Sequence, residues 1–134
     1  MNIQAITVFS EYVRKESDNK ITIIGFLGND TGISQKKGEA IVAPPIMATT
    51  FIRFPANEML KNFKMMAVDG DKEIASVKAE IEHIPTDIPF RSLSISMQIP
   101  SINTSQNKRI VILLSVLDLG ETIETGSVNL FFKD

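Results

Sequence analysis

Residues 57–83 read "NEMLKNFKMMAVDGDKEIASVKAEIEH", and their reading decides the fold. The segment is rich in helix formers, and Ile74, Val77 and Ile81 fit helical spacing. It also alternates: Ala75, Val77, Ala79 and Ile81 fall on one side of a strand, Ser76, Lys78, Glu80 and Glu82 on the other. Asp69-Gly70 separates two arms of similar length, a hairpin signal. The two arms are therefore read as paired strands, with at most one short helix near residues 57–61.

Working outward, the neighbouring segments agree with strands. In "SLSISMQI" (92–99), Leu93, Ile95, Met97 and Ile99 alternate with Ser92, Ser94, Ser96 and Gln98, so the apolar set is expected inside and the serines wet. "KRIVILLSVLDLG" (108–120) is apolar on both parities and reads as a central strand covered on both faces. "NIQAITVF", "KITIIGFLG", "IMATTFIRF" and "SVNLFF" add β-branched and aromatic runs. Prolines at 44, 45, 85, 89 and 100 and the Leu119-Gly120 turn separate them. About eight strands without a βαβ rhythm predict an all-β antiparallel sandwich of one domain (1–134), with Greek-key or jelly-roll connections.

Composition narrows the chemistry. The chain has no cysteine, which excludes disulfides, thiolate metal sites and a cysteine nucleophile. The formal charge of −2 offers no broad attraction to nucleic acid or anionic membrane, and neither is expected as a partner. "MNIQAITVFSEYVRK" has no basic start before an apolar core, so a cytoplasmic location is expected.

The candidate sites are few. Gly25, Gly28 and Gly32 miss both the P-loop and the dinucleotide spacing. They read instead as a relieved or bulged strand position at Gly25 and a corner from Gly28. His83 is the only histidine. It cannot make a multi-histidine metal site, and no G-x-S-x-G elbow accompanies it. Asp69, Asp71 and Glu73 in "DGDKE" are hard oxygen ligands suited to calcium, but their order is not that of an EF-hand. No cofactor is expected.

In chain order, "AITVFSEYV", "NKITIIGFLGNDTGI", "PPIMATTFIRF", "MAVDGDKE" and "VILLSVLDLGETIETGSVNLFF" resemble uncharacterised single-domain bacterial and phage-borne proteins with a jelly-roll sandwich. The resemblance covers most of the chain as a pattern of strands and turns. It implies the fold and a bacterial or phage source, and it brings no catalytic residue. The lysine-rich "SQKKGEA" departs from that pattern.

These readings favour a non-enzymatic interaction or scaffold protein. The alternatives are a sandwich holding calcium or a small polar molecule with its end loops, and an enzyme built on His83. The terminal strands are the expected sheet edges. Asn2 and Gln4 on the first, and Phe131 on the last, where one ring of the Phe131-Phe132 pair should leave the core, are the expected surface for a protein partner or a homo-oligomer.

Overall fold

The computed structural model of the chain describes residues 2–17, 20–28, 30–33, 41–43, 45–82, 87–104 and 106–132, with backbone alone at 30–33, 41–43 and 131–132. Among these, eleven strands form: β1 (Gln4–Lys15), β2 (Ile21–Leu27), β3 (Asp30–Ile33), β4 (Ile41–Ala43), β5 (Ile46–Pro55), β6 (Asn62–Asp69), β7 (Lys72–Glu80), β8 (Phe90–Ile99), β9 (Ile102–Thr104), β10 (Lys108–Val116) and β11 (Glu121–Phe132). The eight strands read from the sequence are the eight long ones. The three unforeseen strands, β3, β4 and β9, are three or four residues each, too short to show a period.

One sheet runs β2-β1-β5-β8, the other β3-β11-β10-β6-β7, and β4 pairs with β9 apart from both. The non-consecutive neighbours β1·β5, β5·β8 and β6·β10 give Greek-key wiring of a β-sandwich. Residues 62–80 are indeed a hairpin, β6 with β7, preceded by a 3₁₀ turn at Ala56–Glu58; His83 lies outside the described residues. The corner expected at Gly28 is where the chain leaves the first sheet after Leu27 and joins the second at Asp30. The crossing lays β3 parallel to β11, the one exception to the antiparallel expectation.

The core lies between the sheets. Phe9, Ile52, Phe54 and Ile99 from the first meet Phe63, Met65, Ile110, Ile112, Leu114 and Leu130 from the second, all essentially sealed from solvent. Phe54 and Phe63 join the sheets ring to ring, centroids 5.7 Å apart. In β8, Ile95, Met97 and Ile99 are buried as expected; Leu93 is half-buried near the strand start, and Ser96 is half-buried because its Oγ lies 3.0 Å from Thr49 Oγ1. β10 is central, but its second face is only half covered: Val111 and Leu113 are partly exposed and Leu117 is exposed. Nothing described packs a further layer there.

The terminal strands are not the edges of the sheets. β1 is flanked by β5 along Gln4–Ser10 and by β2 along Phe9–Lys15. β11 is flanked by β10 and, at its end, by β3. The edges are β2, β8, β3 and β7. Where β2 leaves β1, the uncovered part of β1 closes against β11. A bulge at Thr125, opposite the step from Ile112 to Leu113, turns that side chain inward. Its Oγ1 lies 2.7 Å from Thr7 Oγ1, which lies 2.7 Å from Thr50 Oγ1. Gly126 permits the approach, since a Cβ there would sit 3.1 Å from Thr7 Cβ and 3.3 Å from Thr7 O. The crossing at Gly28 thus leaves half of each terminal strand open, and the two halves cover each other.

Candidate functional site

The side of the β2-β1-β5-β8 sheet that faces away from the core carries the most unusual residue pattern in the fold. β1 and β5 send Phe9, Ile52 and Phe54 into the core, but at one level of the pair the polar residues point in and the apolar ones point out. Thr7 and Thr50 are buried partners, while the next pair, Ile6 and Phe51, faces solvent at 62% and 37% exposure. Tyr12, Ile24 and Phe26 extend the exposed apolar surface onto the β1–β2 hairpin. Tyr12 and Ile24 are direct cross-strand partners.

That hairpin is bent. Gln4 and Lys15 are the ends of a twelve-residue strand, roughly 36 Å apart if it ran straight. Yet Gln4, Ile6, Phe51 and Arg53 line the same open cleft of about 1150 Å³ as Lys15 and Lys20 at the hairpin tip. The sequence supplies the hinge. Gly25, within β2, adopts φ 69°, and no ladder pair forms between it and Glu11 opposite. Ser10 Oγ reaches 3.4 Å to the carbonyl of Tyr12, two residues along the same strand, a contact that a flat strand does not make. A side chain at Gly25 would need a left-handed backbone and would meet the Glu11 side chain at 2.8 Å.

The cleft is basic. Lys15, Lys20, Arg53 and Arg91 line it against one acid, Glu16. Glu16 Oε1 already accepts from Arg14 Nε at 2.6 Å and from Thr22 Oγ1 at 3.0 Å. Arg53 lies over the Phe90 ring, its Cζ 4.0 Å from the centroid, a cation–π contact that holds the guanidinium at the cleft. Arg91 Nε is buried with no hydrogen-bond partner among the described residues.

The residues singled out from the sequence fall differently. Asn2 and Gln4 are exposed and line a smaller cavity beside the cleft with Arg53 and Phe90. Phe131 belongs to the other sheet; its backbone pairs with Gly32, and its side chain lies outside the described residues, as does His83. The structure therefore does not join Phe131 to Asn2 and Gln4 on one sheet. Asp69 and Glu73 are each taken by a lysine, Asp69 Oδ2 with Lys108 Nζ at 2.7 Å and Glu73 Oε1 with Lys64 Nζ at 3.2 Å. Among the described residues no three acidic, histidine or cysteine side chains gather as metal ligands.

Away from the cleft, Asp118 is a clamp. Its Oδ2 accepts from the backbone N–H groups of Lys61 and Asn62, both at 2.8 Å, and its Oδ1 from Asn62 Nδ2 at 3.1 Å. The Asn62 N–H is the main reason its carboxyl titrates below the usual range. It ties the β10–β11 turn to the start of β6.

Among the described residues no helix is long and apolar enough to cross a membrane. Comparison with known proteins finds no family model that matches the chain and no curated protein similar to it in sequence.

Proposed function

We propose that the protein is a non-enzymatic interaction or scaffold module that binds another protein through the outer face of the β2-β1-β5-β8 sheet. The observation that carries this is the inversion on β1 and β5, where Thr7 and Thr50 are buried and Ile6 and Phe51 are exposed. Apolar side chains left out while hydroxyls are taken in cost stability, and local rules of this kind are broken most often at functional surfaces. A cytoplasmic setting fits the cysteine-free composition, and a bacterial or phage source rests on the sequence resemblance alone.

A second copy of the chain is one occupant such a face would accept, in place of the terminal strands, whose open halves cover each other. The test is photo-crosslinking in the source cell with a photoreactive residue at Phe51 and, as control, at Lys78 on β7, an exposed position in the other sheet. Adducts from position 51 and not from 78 are expected, and their mass tells a second copy from a different protein. No adduct at 51, or the same adducts at both positions, would remove the support for this reading.

A further inference from the structure

We infer that the cleft between the bent hairpin and the outer face of the sheet binds an acidic, partly apolar peptide segment of the partner. This rests on the interaction reading above and names the chemistry of what is bound. Elsewhere on the described surface Arg14, Lys64, Lys108 and Arg109 are each matched to a carboxylate, while Lys61, Lys72 and Lys78 are not and line no part of the cleft. Lys15, Lys20, Arg53 and Arg91, which come together at the cleft, have no carboxylate partner among the described residues. This local excess of positive charge stands on a chain whose formal charge is −2. Arg91, half-buried at the cleft, adds a guanidinium that no carboxylate of the described residues neutralises.

The neighbours of these cations choose among anions. Ile6 and Phe51 sit beside them on the floor, so the occupant needs an apolar side chain next to its carboxylates. At about 1150 Å³ the cleft is open and larger than a single phosphate or small metabolite fills. A nucleic acid would carry its phosphates beyond the cleft onto a net-negative surface, without the counterion release that drives such binding. An extended peptide of glutamates or aspartates around an apolar residue satisfies both the charge and the floor.

The experiment uses the full chain and a fluorescently labelled peptide of glutamates around one phenylalanine, read by anisotropy. Its counterpart replaces the glutamates with lysines. The acidic peptide should bind and the basic one should not, and raising salt should weaken the binding. The double substitution Lys15→Glu and Lys20→Glu, both at exposed positions of the hairpin tip, should weaken it about tenfold or more. Arg53→Gln, which keeps a polar side chain over Phe90, should weaken it as well. Equal binding of the two peptides, or unchanged affinity in both charge variants, would overturn the inference. So would inorganic phosphate or single-stranded DNA displacing the labelled peptide as well as the unlabelled peptide does. If position 51 crosslinks a partner but the acidic peptide does not bind, the interaction face stands and the charge reading fails. If neither is seen, both fail.

Discussion

The Thr7 hydroxyl has one proton to give and lies 2.7 Å from two other hydroxyls in a sealed core. Two orders satisfy the set: Thr50 donates to Thr7, Thr7 to Thr125 and Thr125 to the Ile112 carbonyl at 3.4 Å, or Thr125 donates to Thr7, Thr7 to Thr50 and Thr50 to Met65 Sδ at 3.5 Å. Thr7→Val keeps the shape and removes the middle link, leaving the Thr50 and Thr125 hydroxyls each one buried hydroxyl partner short. The expected cost is about 2 kcal/mol by urea denaturation, and Thr7→Ser, which keeps the hydroxyl, should cost less. A Thr7→Val protein as stable as the wild type would show that the chain of hydroxyls does not hold the seam. Asp118 gives a pH-dependent counterpart. Its folded-state carboxyl is held below the unfolded value, so its contribution is complete above about pH 4 and is lost as pH falls through the folded value. Asp118→Asn presents an amide where two backbone N–H groups need an acceptor. It should cost about 1 kcal/mol near neutral pH and flatten the acid limb of the stability curve. An unchanged acid limb would mean that other carboxylates set it.

At the scale of elements, the β1–β2 hairpin carries the function proposed here, and Gly25 is its hinge. Gly25→Ala must hold a left-handed φ, at a cost of about 1 kcal/mol, while the clash with the exposed Glu11 side chain can be relieved by a rotamer change. The expected result is modest destabilisation with a larger loss of acidic-peptide binding; unchanged peptide binding would deny Gly25 this role. Much of the element pattern was legible in the sequence. Alternation in β7 and β8, and the Asp-Gly turn, are local signals and survive folding. The bend was not legible, because a glycine in a strand reads alike whether it relieves crowding or turns the arm. Neither was the inversion on β1 and β5. Ile6 and Thr7, like Thr50 and Phe51, are both good strand residues, and the choice of which faces the core is made by the partner strands. The bulge at Thr125 re-aims one residue without any mark that a period-two pattern can show.

For the molecule as a whole, the sandwich followed from strand count and turn chemistry, but its edges did not. Edge status depends on where β2 and β3 cross between sheets, and the crossing at Gly28 was read only as a corner. That crossing shields the terminal strands and leaves the outer face of one sheet, overhung by its own hairpin, as the proposed binding surface. The cleft exists only if the hairpin bends back. Because the chain has no native cysteine, spin labels at Lys20→Cys and Ser94→Cys report this directly through their dipolar coupling. Both positions line the cleft. A single short separation, within the width of the cleft, is the result predicted for the free protein in solution. A distribution centred beyond roughly 30 Å, the run of a straight β1 from Ile6, level with Ser94, to Lys15 at the hairpin tip, would contradict the bend and with it the binding cleft.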